Sequence, residues 1–344
     1  MPTTYGVKMP STYVLSAVLL SFFLTLIMLP YWIKRAKQHN LVGKDVNKLD
    51  QRPVAELGGL VVIFCSVIGI LFYAAVHVFI YQNVKDLFFI MAATSSILVA
   101  LIIGLVDDIL GWKIGLRQWQ KAFASLFIAL PIMAVNAGQK IMSFPFIGAV
   151  DLGILYPLIV IPGGIIGASN AFNMIAGFNG LEAGMGIIII GTLGLISYLN
   201  GASMAALIAA VFLASLIAFY VFNKYPAVIF PGDTLTYSIG AAIAIIAIYG
   251  NVEKFALMLF IPYYIEFFLK LKGLFQKESF AHNISGKGLV NKYQYWYSLT
   301  HVAVSFWRKT TGRAGERKVV YLILFCEFLL AIGTIYYYFN QFLI

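Results

Sequence analysis

Residues 87–106 read LFFIMAATSSILVALIIGLV, and Asp107-Asp108 follow directly. Twenty uncharged positions can cross a bilayer as a helix, because each residue advances ~1.5 Å through roughly 30 Å of hydrocarbon. The pattern recurs along the chain. Apolar runs with helical periodicity occupy 12–33, 57–80, 87–106, 120–137, 153–169, 183–199, 203–222, 234–249, 253–271 and 318–342. The expectation is an all-α polytopic membrane protein of about ten transmembrane helices. A barrel is excluded, since its strands would alternate over ~10 residues. Pro157, Pro162, Gly163 and Gly164 make the fifth span irregular.

Composition agrees. Of 344 residues 61% are apolar and 11% charged, against ~45–50% and ~25% in soluble domains. Cys65 and Cys326 sit in apolar runs and form neither a disulfide framework nor a metal motif. No cleavage site follows the short N-terminus, so the first span reads as retained rather than as a signal peptide.

Charge sorts the loops. Segments 34–56, 107–121, 170–182, 223–233 and 270–318 hold 20 of the 24 Lys and Arg, leaving Lys8, Lys85, Lys140 and Lys254. By the positive-inside bias the first set is cytoplasmic and both termini lie outside. The net charge of +10 then reflects orientation and anionic lipid, not nucleic acid. Nine of the fourteen acidic residues share the cytoplasmic side. The chain reads as one transmembrane domain, 1–344, with catalytic loops on that side.

Three polar motifs stand out there. Asp107-Asp108 ends an inward-running helix, where carboxylates oppose the helix dipole; either the pair is solvated, or a cation such as Lys121 or a metal balances it. Asn170-Ala-Phe-Asn-Met-Ile-Ala-Gly-Phe-Asn-Gly-Leu-Glu182 clusters three amides at a span mouth. Asn170 and Asn173 would share a helix face and serve a ligand or a helix contact. Phe230-Pro-Gly-Asp-Thr-Leu-Thr236 places Asp233 where it could cap the next helix or bind metal. Oxygen donors of this kind suit Mg²⁺ or Mn²⁺ held with phosphate. The scattered His39, His77, His282 and His301 do not suit zinc. In the first inner loop Glu56 is either a ligand carboxylate or a favourable charge at a helix start. Lys287, in Ser-Gly-Lys-Gly, could reach a phosphate, although the spacing is not a P-loop.

Taken in order, these motifs resemble the polyprenyl-phosphate N-acetylhexosamine-1-phosphate transferases, nearest the eukaryotic and archaeal dolichyl-phosphate GlcNAc-1-phosphotransferases. The resemblance runs over about residues 30–272. It rests on Gly43-Lys-Asp-Val-Asn-Lys48 with Glu56, Asp107-Asp108 with Lys121, Asp151-Leu-Gly-Ile-Leu-Tyr156, Asn170 to Glu182, Asn223-Lys-Tyr-Pro226, and Phe230 to Thr234. It implies ten helices and a cytoplasmic site where a polyprenyl phosphate attacks a UDP-N-acetylhexosamine, releasing UMP. By matching motif, Asn173 and Asp233 would hold Mg²⁺, and Asn179 with the Gly180 backbone would contact uridine. Lys121 would hold phosphate or order the acid pair, and Asp107 and Asp108 would position or deprotonate the lipid phosphate. Asn47, Glu56, Asn170 and Glu182 join the substrate-binding set. The last loop, Ala281-His-Asn-Ile-Ser-Gly-Lys-Gly-Leu-Val290, carries neither the bacterial His-rich motif nor the eukaryotic Arg-His-Arg, leaving His282 and Lys287 as its candidates. The implied partners are the nucleotide-sugar, dolichyl or polyprenyl phosphate and membrane lipid, with a homodimer left open. An archaeal plasma membrane fits better than an endoplasmic reticulum. The rival reading is a transporter or flippase of a nucleotide-sugar or polyprenyl-linked substrate. Its mark would be polar residues continuing through the membrane, where only Glu266 and Glu327 lie well inside spans.

Overall fold

The structure, a computed structural model, describes residues 11–82, 84, 86–111, 115–144 and 148–341. Residues 1–10 with Lys8, Lys85, and the last position of the tenth expected span lie outside the described residues. The chain is helical: α1 Ser11–Gln38, α2 Gly58–Phe79, α3 Leu87–Leu110, α4 Gln118–Ala134, α5 Ile161–Met174, α6 Leu181–Leu199, α7 Ser203–Asn223, α8 Gly232–Gly250, α9 Glu253–Leu259, α10 Ile261–Lys272, α11 Leu299–Thr311 and α12 Glu316–Asn340. Eight described helical segments are long and apolar enough to span a membrane: α1, α2, α3, α5 with its preceding turn, α6, α7, α8 and α12. The other two expected spans appear as the 17-residue α4 and the pair α9–α10, broken at Phe260 ahead of Pro262.

The irregular fifth span takes a definite form. Tyr156–Val160 is a π-helical turn leading into α5. Pro162 has no N–H and would crowd the carbonyl four residues back in a regular helix; a widened turn accommodates both problems.

Purely helical reading misses three antiparallel hairpins. They are β1 Val42–Lys44 with β2 Pro53–Ala55, β3 Ile141–Phe144 with β4 Gly148–Asp151, and β5 Ala281–Ile284 with β6 Gly288–Asn291. Ser-Gly-Lys-Gly is the β5–β6 turn, with Gly286 and Gly288 at φ 77° and 70°. Glycine adopts that backbone without a Cβ clash.

Helix α8 is the axis of the bundle. Every residue from Thr234 to Ile248 is buried, and α2, α3, α5, α6 and α7 all pack on it. A helix apolar on all sides belongs inside, and small residues let its neighbours approach closely. A Cβ on Gly59 would lie 2.2 Å from the Leu235 nitrogen, one on Gly104 2.4 Å from the Asp233 carbonyl oxygen, and one on Gly240 2.5 Å from the Ala168 carbonyl oxygen. By contrast, α1 turns Leu15, Leu19, Phe23 and Ile27 outward at intervals of four, an unburied stripe suited to lipid.

Gly104→Ala should therefore push α3 from α8 and cost ~1–3 kcal/mol, seen as a lower thermal unfolding midpoint in detergent. Gly163→Ala, with nothing within 4 Å of the new methyl, should leave that midpoint unchanged or slightly raised, because Ala is the better helix former. Equal midpoints for the two variants would contradict this packing.

Candidate active site

Four elements meet at one end of α8. Asp107 and Asp108 lie in the last turn of α3 rather than in a loop, because the helix continues to Leu110. Lys121 is in the first turn of α4, Asn170 and Asn173 are in α5, and Asp233 is in the first turn of α8. The Lys121 ammonium sits 2.6 Å from Asp107 Oδ2 and 2.8 Å from Asp233 Oδ2. Asn173 Nδ2 donates to the same Asp233 oxygen at 3.0 Å. Asp107 Oδ1 accepts the Leu116 N–H at 2.6 Å.

Asp108 is used differently. Its Oδ1 and Oδ2 accept the backbone N–H groups of Asp233 and Thr234, at 2.8 and 3.0 Å. Those donors belong to the first turn of α8, which has no intrahelical acceptors for them. The sequence offered Asp233 as the cap of α8; instead Asp108 caps that helix from α3, and the Asp233 side chain turns to Lys121 and Asn173.

Residues beyond the candidate ligands complete this cluster. Thr236 Oγ1 donates to Asn173 Oδ1 at 3.0 Å, and Tyr237 OH donates to Asn170 Oδ1 at 3.3 Å. Asn170 Nδ2 donates to Ser125 Oγ at 3.0 Å. Thr236 lies three residues beyond Asp233, so helical spacing was the available signal. Glu56 approaches from the loop before α2. Burial, with the Asp108 charge, raises its carboxyl above the ordinary range. The loop ahead of α8 holds α2 in place, since Gly58 and Gly59 N–H donate to the Phe230 and Pro231 carbonyls at 2.9 and 2.8 Å.

A second polar network lies where the polar loops meet. Lys48 Nζ is 2.7 Å from Asp45 Oδ2 and 2.8 Å from Glu316 Oε2. Burial pulls the Lys48 ammonium down, yet the two carboxylates outweigh it and the net shift is upward. Asn179 donates through its N–H to Glu316 at 2.9 Å and through Nδ2 to Asp45 at 3.0 Å. Asn47 Nδ2 donates to the Gly177 carbonyl at 2.8 Å, and Gly177 N–H donates to Glu182 Oε1 at 2.8 Å. The β5–β6 hairpin joins through Ala281 N–H to Asn47 Oδ1, 3.3 Å, and Asn283 Nδ2 to the Asn47 carbonyl, 2.9 Å. Gly180, at φ 83°, is the N-cap of α6. Asn47, Asn179 and Glu182 thus lie in this network and not among the ligands of Asp233. His282 and Lys287 are exposed on the hairpin. Sequence reading quoted Asp45 and Lys48 within a motif and counted Glu316 among the one-sided acids without giving any of them a role; the i, i+3 spacing of Asp45 and Lys48 was the one local signal for their pairing.

Asp107 and Asp233 thus share one ammonium, with the Asn173 amide nitrogen on Asp233, Asp108 on the backbone of α8 and Glu56 feeling the Asp108 charge. Among the described residues no group of three His, Cys, Asp or Glu is arranged as a ready metal cage. One or two carboxylates with phosphate oxygens supplied by a substrate is the arrangement Mg²⁺ favours, and the donors present are of that type.

The profile of glycosyl transferase family 4 matches residues 88–251, the stretch from α3 to the end of α8 that carries this cluster. A Saccharolobus solfataricus protein named UDP-N-acetylglucosamine–dolichyl-phosphate N-acetylglucosaminephosphotransferase is 37% identical over 93% of this chain and 95% of its own. The chain belongs to glycosyl transferase family 4. A Sulfolobus acidocaldarius relative with the same name is 35% identical over 93% of this chain and 94% of its own. A Dictyostelium discoideum family member of that name is 26% identical over 73% and 70%.

Asp108→Ala removes both acceptors from the start of α8 and should destabilise the protein by ~0.5–2 kcal/mol. Asp108→Asn keeps one acceptor and should recover part of that loss in a thermal unfolding series. Identical midpoints for wild type and Asp108→Ala would show that the cap contributes nothing.

Proposed function

We propose that this chain transfers N-acetylglucosamine-1-phosphate from UDP-N-acetylglucosamine to dolichyl or a related polyprenyl phosphate, giving the lipid diphosphate sugar and UMP. It is the first lipid-linked step of glycan assembly. The observation that carries the reading is the convergence of Asp107, Lys121, Asn173 and Asp233 at one end of α8, inside the segment shared with the family. The names of the archaeal and Dictyostelium relatives supply the substrate class.

Phosphoryl transfer depends mostly on positioning and charge neutralisation. An oxygen of the lipid phosphate attacks the phosphorus that bears the sugar, and the bond from that phosphorus to the bridging oxygen breaks as UMP leaves. Lys121 neutralises charge and holds Asp107 and Asp233 together. Asp108 fixes the register of Asp233. Asp233 and Asn173 would hold Mg²⁺, which supplies further neutralisation of the diphosphate. The lipid phosphate is itself a competent nucleophile. Both oxygens of Asp107 and both of Asp108 already accept hydrogen bonds, which favours single displacement over a covalent aspartyl intermediate.

The positive-inside bias places this end of the bundle in the cytoplasm, and the relatives' sources favour an archaeal cell membrane. Gly163, Gly164 and Gly167 leave part of α5 bare, and Gly163 and Gly167 align with Asn170 at helical spacing. The polyprenyl chain runs along that strip toward the cluster. The transporter reading loses one of its two intramembrane carboxylates: Glu266 Oε2 accepts from Leu299 N–H and Ser298 Oγ, at 2.7 and 3.1 Å, and so caps α11.

UMP release from UDP-N-acetylglucosamine should require both dolichyl phosphate and Mg²⁺. Chelation should abolish it, and release of UMP without the lipid would instead indicate a covalent intermediate. Asp233→Ala should abolish turnover and weaken Mg²⁺-dependent substrate binding, measured by calorimetry. Asp108→Asn should lower turnover with nucleotide affinity largely kept. If turnover survives both substitutions within a few-fold, the site assignment is wrong; uptake into sealed vesicles without UMP release would favour the transporter.

A further inference from the structure

Beyond the transfer site, the segment after α10 carries a surface that the reaction does not use. Helix α10 ends at Lys272, and the next turn holds Leu274 and Phe275 at φ 52° and 56°. Two successive bulky residues in the left-handed region are costly, roughly 1–2 kcal/mol each, and here the turn presents Leu274 outward, 72% exposed. Tyr295 and Trp296 stand beside it, 56% and 49% exposed. The ledge is continuous. Lys272 Nζ lies 5.0 Å from the centre of the Tyr295 ring, and a Cβ on Gly273 would touch the Tyr297 ring at 2.9 Å. Trp296 Nε1 donates to Ser305 Oγ at 2.9 Å, adjoining the exposed Phe306 on α11.

Cations flank these apolar groups, Lys272 over the Tyr295 ring and Lys277 over that of Tyr293, with Lys309 one helical turn beyond Phe306. Lys272, Lys277 and Lys309 are exposed and form no ion pair among the described residues, whereas the nearby Glu278 is already taken by Lys292 at 2.5 Å. Tyr and Trp concentrate at the headgroup level of bilayers, and clustered lysines attract anionic leaflets. The β5–β6 hairpin follows directly and is tied to Asn47, so the ledge lies at the acid-cluster end of the bundle.

From this we infer that Leu274, Phe275, Tyr295, Trp296 and Phe306 form an interfacial foot that seats the last inner loop on the membrane, its lysines taking the phosphate headgroups of anionic lipids. The charge complementarity selects a negatively charged lipid surface over a second copy of this chain, which would bring lysines against lysines. The foot would hold the β5–β6 hairpin at a constant height above the leaflet.

The test uses the full chain in phosphatidylcholine vesicles containing brominated lipid. The Trp296 signal is the difference between wild type and Trp296→Phe. Brominated phosphatidylglycerol should quench that signal more strongly than brominated phosphatidylcholine at the same mole fraction. Combined Lys272→Gln, Lys277→Gln and Lys309→Gln should make the two lipids equivalent while Trp296 stays shielded from aqueous iodide, which also shows that the variant remains seated and folded. Quenching by iodide but by neither lipid would overturn the inference, as would equal quenching by the two lipids in the wild-type protein. Protection from all three quenchers would overturn it too, since protein would then cover the ledge. None of these outcomes depends on UMP release.

Discussion

The Lys121 ammonium lies between Asp107 and Asp233, and the arrangement of this end of the bundle follows from that placement. Carboxylates at the edge of an apolar interior repel one another and lose hydration. One ammonium shared by two of them, with an asparagine amide on one side, offsets that cost and ties α3, α4, α5 and α8 at a single point. Asp108 adds a separate constraint. It spends both oxygens on the first amides of α8, so adjacent aspartates on one helix turn do different work: one pairs with Lys121 and the other anchors the helix that carries the opposing carboxylate.

A second knot lies among the loops. Lys48, Asp45, Glu316 and Asn179 connect the loop between α1 and α2, the turn between α5 and α6, and the start of α12, while Asn47 draws in the β5–β6 hairpin. The segment between Asn173 and Gly180 belongs to both knots. It begins beside Asp233 and ends capping α6, so the two polar regions share one stretch of backbone.

Much of this was legible beforehand. Helical spans declare themselves by length and apolarity, and those boundaries agree to within a few residues because hydrocarbon thickness sets their size. Asp107, Lys121, Asn173 and Asp233 stood out because each is expensive at a span mouth without a partner. What escaped reading depended on contacts between remote parts of the chain. Nothing local tells Asp108 from Asp107. Asn179 and Glu182, read as substrate contacts, also bond Asp45, Glu316 and the turn at Gly177, which no local pattern shows. The β5–β6 hairpin is only four residues per strand, too short for alternation to register, and the break at Phe260 lies in a run whose composition alone resembles one continuous span.

The glycines at 59, 104 and 240 leave α8 no room to slide or roll, because backbone from neighbouring helices occupies the space where side chains would be. Asp233 is therefore held at a set depth, as a bolt is by its threads. Adjustment around a bound molecule therefore falls to the side chains and loops at this end, not to a shift of α8 itself.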